Sequence, residues 1–357
     1  MKAFNKLLMM STVLISLAVS ACGGAQSKES KPNGGSSTPA PVEEPSGPAV
    51  FVLTGQSNME GQSSWNNDYL KNAMQALEAS GNYDNVSSDD YSVLTGDGLE
   101  NVRTSYMGAG YDQIYSPNQV HASNKETPIN GKFENTKVGM GYNDNSIGPE
   151  LGCAYGLSKA LEDDQKVYFI KCGISGSGFA QSSSNGDKIN WNVSKEENLY
   201  LGILKPYVEN CLKLIEEEAE EKPVIRGFMW MQGESDSYEG KIDTYAGYMN
   251  ALLDLFKEDF EEYAYDEDRE NIAFIDACVY DKTSRWPKAQ DINAVKMANA
   301  EAHDNYYCIN TTWNIEGGLE LDTGSPGGNG DAHYNTESML KLGLAFADVI
   351  LENNLLD

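Results

Sequence analysis

The sequence predicts an α/β fold: a parallel sheet of five strands between two layers of helices. Three observations carry that expectation. Short runs rich in β-branched and aromatic residues recur at 50–53, 166–172, 224–231, 271–279 and 306–310. Most of the intervals between them hold amphipathic helical patterns, and such alternation demands right-handed crossovers that leave the strands parallel. About 300 residues follow a polar leader and 40% of the chain is hydrophobic, which suits one large domain with a sizeable core.

The chain opens with Lys2 and Lys6 ahead of an apolar run from Leu7 to Val19. That run is too short to span a bilayer comfortably and has the charged flank of a secretory signal. It ends Leu17-Ala18-Val19-Ser20-Ala21-Cys22-Gly23, which resembles a bacterial lipobox. Residues 1–21 are therefore expected to be a lipoprotein signal peptide, with Cys22 as the lipidated residue. The expectation is an exported bacterial lipoprotein at the outer membrane or cell surface, touching membrane only through its lipid. Residues 22–48 are Gly, Ser, Pro, Lys and Glu with almost nothing apolar. Such a segment cannot offset its ordering entropy and reads as a disordered tether, leaving 49–357 as the folded domain.

The domain begins Val50-Phe51-Val52-Leu53-Thr54-Gly55-Gln56-Ser57-Asn58-Met59. Four apolar residues form a short buried strand, and Gly55 permits a tight turn that delivers Ser57 just past its carboxyl end. In α/β sheets that edge is where ligands bind. A serine nucleophile also needs a base and donors for an oxyanion.

Residues 62–145 are polar, rich in Asn and Tyr and weakly periodic. They read as a loop insertion over the catalytic edge, with a helix near 68–79 and at most a hairpin besides; Tyr106, Tyr111, Tyr115 and Tyr142 are candidates for stacking on sugar rings. Ser146 is placed to cap a helix running to about Glu162. The strand at 166–172 leads into Gly173-Ile174-Ser175-Gly176-Ser177-Gly178-Phe179. A covering helix follows over 199–222, and Pro223 stops it. The strand at 224–231 then delivers Gln232-Gly233-Glu234-Ser235-Asp236. Further helices are expected at 242–260 and 291–304. The last motif, Gly330-Asp331-Ala332-His333-Tyr334, precedes a closing helix that ends near Glu352.

Four blocks in this order resemble the sialate-O-acetylesterase-like branch of the SGNH hydrolase superfamily, which includes carbohydrate esterase family six. Gly55-Gln56-Ser57-Asn58-Met59 resembles the branch's opening motif, and Trp230-Met231-Gln232-Gly233-Glu234-Ser235-Asp236 is similar to its most specific block. The resemblance implies a flavodoxin-like three-layer α/β/α sandwich and a metal-independent serine acetylesterase without cofactor. It implies Ser57 as nucleophile and His333 as general base. Ser57 and Gly176 N–H groups and the Gln232 amide are implied as oxyanion donors, with Gln56, Asn58 and Glu234 against substrate. The acid is less defined. The superfamily usually shows Asp-x-x-His, whereas Gly330 stands three before His333 and Asp331 two before. Asp331 is the expected orienting acid, with Glu234 in reserve.

Composition narrows the partners. A net charge of -28 argues against nucleic acid, whose phosphates require clustered Lys and Arg. There is no Cys-x-x-Cys pair and there are only three histidines, so no metal site is expected. His121 falls in the insertion and His303 in a polar helix, which leaves His333 as the base. After Cys22 five cysteines remain, and an odd count excludes a complete disulfide framework. The expected substrate is an O-acetylated polysaccharide or oligosaccharide, acetylated xylan first and a sialic acid ester as close rival. A surface glycan-binding lipoprotein without catalysis is the alternative of another class.

Overall fold

The strand Ala49–Gly55 (β1) runs through the middle of a seven-stranded sheet and is buried along its whole length. The computed structural model describes residues 47–357 apart from 84, 109–130, 163, 180–189, 240, 241, 329 and 357. The expected signal segment, Cys22 and nearly all of the tether lie outside the described residues, as do Tyr111, Tyr115 and His121.

The other strands are Ser63–Ser64 (β2), Leu99–Gly108 (β3), Glu134–Thr136 (β4), Ser146–Ile147 (β5), Val167–Gly173 (β6), Val224–Met231 (β7), Ala273–Ala277 (β8) and Tyr306–Ile309 (β9). The sheet order is β4-β3-β6-β1-β7-β8-β9, with only the β3–β4 pairing antiparallel. The five strands expected from sequence are β1, β6, β7, β8 and β9. Numbered among themselves they lie in the order 2-1-3-4-5, the doubly wound arrangement whose switch point falls between β1 and β7. Because both faces are covered, β1, β6 and β7 are mostly apolar without alternation, with Lys171 in β6 and Arg226 in β7 as buried exceptions.

Nine α-helical segments are described: Ser57–Glu60 (α1), Asn67–Ser80 (α2), Tyr91–Thr95 (α3), Pro149–Ser158 (α4), Lys205–Ala219 (α5), Glu234–Glu239 (α6), Ile242–Asp259 (α7), Ala289–Ala302 (α8) and Thr336–Glu352 (α9). Helix α9 packs on α4 and α2, and α7 packs on α8. Right-handed crossovers put α4 on one face of the sheet and α5, α7 and α8 on the other.

Two expectations need correction. The segment 62–145 is not mainly loop, because it contributes β3 and β4 to the sheet and makes seven strands of the expected five. Strand β3 shows no apolar run because buried Thr104 and Ser105 interrupt its apolar residues, yet both hydroxyls are satisfied. Thr104 Oγ1 pairs with Thr136 Oγ1 at 2.7 Å and Ser105 Oγ with Tyr207 Oη at 2.7 Å. Tyr106 lies in this strand and is buried, so it is no sugar platform, whereas Tyr142 is exposed. Ser146 does not cap a helix. It belongs to β5, paired with β2, and α4 starts at Pro149 behind Gly148, with Pro at the helical position it favours.

Candidate active site

Strand β1 ends in Gly55 at a φ of 142°, where an added Cβ would stand 2.1 Å from the Met231 carbonyl oxygen. Only glycine lets β1 and β7 stay this close while the chain turns. The Gln56 N–H donates to the Met231 carbonyl at 2.9 Å, and α1 begins at once with Ser57. The Ser57 N–H therefore sits at a helix start, where no intrahelical carbonyl is available to it. Ser57 keeps 7% exposure while Gln56, Asn58, Met59 and Glu60 have 2% or less. Ser57 is thus the most exposed residue of this turn.

Strand β6 ends in register with β1, Gly173 opposite Gly55. An added Cβ at Gly173 would lie 2.3 Å from the Glu60 backbone nitrogen, so α1 seats directly on this glycine. The loop beyond it carries Gly176, partly exposed with a φ of 70°. Ser175 Oγ donates to the Glu60 carboxylate and accepts from Gln62 Nε2 at 2.5 Å. Ser177 Oγ donates to the Ile174 carbonyl at 2.7 Å and accepts from Trp191 Nε1 at 2.8 Å. The two expected backbone donors, at Ser57 and Gly176, thus leave adjacent strands on one edge. Beneath them Lys171 Nζ donates to Glu150 Oε2 at 2.5 Å and to the Met140 carbonyl at 2.8 Å, both side chains being buried. Burial pulls the Lys171 pKa down against the pull of Glu150 and Glu60. Glu150, in the first turn of α4, thus carries the buried ion pair.

The block after β7 turns inward. Gln232 Nε2 donates to Asp236 Oδ2 at 2.7 Å and Gln56 Oε1 at 3.1 Å, and approaches the Ser177 carbonyl at 3.4 Å. Both amide protons are engaged, so here Gln232 braces three loops and does not present a free donor for an oxyanion. Gln56 Oε1 also accepts from the Ser235 N–H at 3.2 Å, and Asp236 Oδ2 accepts from the Phe179 N–H at 3.1 Å. Glu234 is fully buried, and Asn58 Nδ2 donates to its Oε1 at 2.8 Å. Burial pushes the Glu234 carboxyl pKa upward, opposed chiefly by the Asn58 hydrogen bond. Gln56, Asn58 and Glu234, expected against substrate, are instead part of the floor of the site.

His333 sits partly exposed on the loop before α9, whose Asn335 side chain accepts from the Ser338 N–H at 2.8 Å and caps the helix. Both neighbours of the histidine are tied to the serine side of the site. Asn58 Nδ2 donates to the Ala332 carbonyl at 3.4 Å, the Tyr334 N–H donates to Asn58 Oδ1 at 3.3 Å, and Ser63 Oγ donates to the Tyr334 carbonyl at 2.6 Å. Among the described residues, His333 Nδ1 has no hydrogen-bond partner. Asp331 does not reach it. Its carboxylate accepts from Arg285 Nε at 2.8 Å and from Thr283 Oγ1 at 3.0 Å, about half exposed on the rim. These partners hold the Asp331 carboxyl below its usual range, the Thr283 hydrogen bond foremost. Burial, with Arg285 adding its charge, pushes the His333 imidazole down to about 4. A neutral imidazole at pH 7 is the form that accepts a serine proton. His303, at the end of α8, is exposed and remote from this edge in sequence and sheet order.

A family model described as carbohydrate esterase, sialic acid-specific acetylesterase matches residues 48–352. The chain belongs to this family. No curated protein sequence matches it. Among solved structures, NanS superposes with a TM-score of 0.52 at 15% identity, covering 87% of this chain and 99% of that one. An Arabidopsis thaliana protein gives a TM-score of 0.49 at 16% identity, covering 85% and 98%. A carbohydrate acetylesterase from Xanthomonas citri gives 0.44 at 15% identity, covering 85% of this chain and 56% of its own. The match with NanS shows a shared α/β fold. The protein is thus a carbohydrate esterase by family, an ester hydrolase whose family acts on acetylated carbohydrate.

Proposed function

We propose that the chain is a serine O-acetylesterase acting on acetylated glycans outside the cell. One observation carries the reading: Ser57 and His333 leave opposite ends of the chain, yet Asn58, next to the serine, bonds the backbone on both sides of the histidine. Ser57 Oγ attacks the acetyl carbonyl while His333 Nε2 takes its proton. The tetrahedral oxyanion is received by the N–H groups of Ser57 and Gly176. Imidazolium then protonates the departing sugar oxygen, and water, deprotonated by the same nitrogen, releases acetate. Losing one such donor typically costs about 2.7–4 kcal/mol of barrier. Hydrolysis of an aryl acetate by the wild type, and not by Ser57→Ala, tests the reading; equal rates above background overturn Ser57 as nucleophile, and no hydrolysis by folded wild type favours a glycan-binding lipoprotein without catalysis. Exhaustive chelation is expected to leave the rate intact.

Acetylated xylan is the substrate we favour. The rim cation, Arg285, is already matched by Asp331, and the chain carries a net charge of -28, both of which favour a neutral sugar. A sialic acid ester is the second reading. It is favoured by the family description and by the half-exposed guanidinium beside His333, which a sugar carboxylate would take from Asp331. Activity on acetylated xylan unchanged by Arg285→Ala supports the first; activity on O-acetyl sialate lost in that variant supports the second. Export on a lipid at Cys22 belongs to the same proposal. Cys22→Ser is expected to move the protein out of the membrane fraction, and unchanged fractionation removes the anchor.

A further inference from the structure

Asn58 is fully buried, and its side chain makes no local turn. All three of its hydrogen bonds reach far along the chain, to residues 176, 274 and 276 positions away. A carboxylate only accepts, so Glu234 forces the Asn58 amide nitrogen toward itself, and the amide oxygen must then face the Tyr334 N–H. The short bond to Glu234, 2.8 Å, thereby sets the direction of the two longer ones, 3.4 Å to the Ala332 carbonyl and 3.3 Å from the Tyr334 N–H. These two groups flank His333. The usual holder of a catalytic imidazole is a carboxylate on Nδ1, yet here Nδ1 has no partner among the described residues and Asp331 is engaged with Thr283 and Arg285.

We propose that Asn58, oriented by Glu234, is the positioning residue of His333: it grips the backbone on both sides of the histidine and sets where the imidazole stands relative to the adjacent Ser57. The inference rests on the serine-esterase reading above. It makes the Ser-Asn pair of the opening motif a unit, with one residue reacting and the next placing the base. A displacement of about 1 Å between reacting groups is enough to cost on the order of a hundredfold in rate.

The test uses the full-length chain and four proteins: wild type, Asn58→Ala, Asn58→Asp, and Asn58→Asp combined with Glu234→Gln. Turnover on an aryl acetate, the rate of Ser57 labelling by a fluorophosphonate, and the melting transition are measured for each. Asn58→Ala should keep a cooperative melt and a Michaelis constant within about twofold, while turnover and labelling rate fall about a hundredfold or more. Asn58→Asp should be at least as slow, because it sets a second carboxylate against Glu234. The double variant exchanges donor and acceptor across that contact and still offers an acceptor to the Tyr334 N–H; it should recover about tenfold over Asn58→Asp.

Folded Asn58→Ala with turnover and labelling within about threefold of wild type overturns the proposal. So does labelling that falls only in proportion to the folded fraction. If Asn58→Ala does not fold, the double variant decides: folded without recovery, it refutes the inference. Wild type that is folded yet neither labelled nor active refutes the esterase reading itself, and this inference with it. That outcome is distinct, because it appears before any substitution is made.

Discussion

Two polar regions flank His333, and they differ in almost every respect that matters for holding it. On the inner side Asn58, Glu234, Gln232 and Asp236 form a web with 1% exposure or less. On the outer side Asp331 and Arg285, both more than half exposed, form a rim pair that Thr283 joins by a hydrogen bond. The rim pair is closer in sequence, two residues from the histidine. Yet an exposed ion pair contributes only about 0–1 kcal/mol and is screened by salt. In the inner web each partner lost strands another buried polar atom, at about 1–3 kcal/mol. Proximity along the chain names a candidate; burial decides which candidate has authority over the base.

The widest separation between the regions is expected in stability. Lys171 beneath the oxyanion loop and Arg285 on the rim are both ion-paired, at 2% and 52% side-chain exposure. Lys171→Met leaves Glu150 buried without its counter-charge and should cost about 3–5 kcal/mol by denaturant unfolding. Arg285→Ala should cost less than about 1 kcal/mol. Equal losses would erase the distinction.

Glu234 offers a finer cut. Glu234→Leu removes the acceptor of the Asn58 amide and should cost about 1–3 kcal/mol of stability. Glu234→Gln keeps an acceptor, and because burial raises the Glu234 pKa, removing the charge should leave the melting temperature unchanged or higher. A melting temperature well below wild type in Glu234→Gln would show that the carboxylate charge stabilises the web.

The pH profile reads the two regions together, because His333 lies between them. Its pKa is pushed down to about 4 by burial first and Arg285 second. In the proposed mechanism the reacting form is the neutral imidazole, so kcat/KM should stay flat from neutrality to about pH 5 and fall only below that. An ordinary histidine would place the fall near 6.5. The sign for stability is the same. Between about 4 and 6.5 the unfolded chain binds this proton and the folded one does not, so the contribution of His333 is lost as pH drops through that window. Arg285→Ala should move the acidic limb upward, by less than a unit because the guanidinium is solvated. A limb near 6.5 in wild type would mean that burial and Arg285 do not disfavour the imidazolium.

Much of this was legible in the sequence. Strand β7 lies at Val224–Met231 as expected, and helix α9 ends at Glu352 as expected. Pro223 stands just before β7, and Asn335 caps the start of α9, so both elements carry local boundary signals. The placement of Ser57 and His333 was legible too, each standing on a turn at an element boundary. Strand β3 was not, because its burial depends on hydroxyl pairs with Thr136 and Tyr207 that only the folded chain supplies. The roles of Gln56, Asn58 and Glu234 were hidden too. A polar residue beside a nucleophile reads as a substrate contact, and nothing local shows that its partners lie 176 to 276 positions away.

The smallest expected effect belongs to the residue that sequence proximity favoured most. If Asp331 held the imidazole, Asp331→Asn would lower turnover by about four orders of magnitude, as loss of the orienting acid does in serine proteases. In the structure the carboxylate faces Arg285 and Thr283 across the rim, so its loss changes only the field at His333. Arg285 would then act on the imidazole unmatched, making protonation slightly harder. Turnover at pH 7 should stay within about threefold of wild type, and stability within about 0.5 kcal/mol. The acidic limb should slide to slightly lower pH, opposite to the shift expected for Arg285→Ala, and the difference should shrink in high salt. Opposed, salt-sensitive shifts with near-normal turnover would mark the rim pair as an electrostatic neighbour of the base. A collapse in turnover would show that Asp331 leaves Arg285 during the reaction and joins His333, returning authority to the rim.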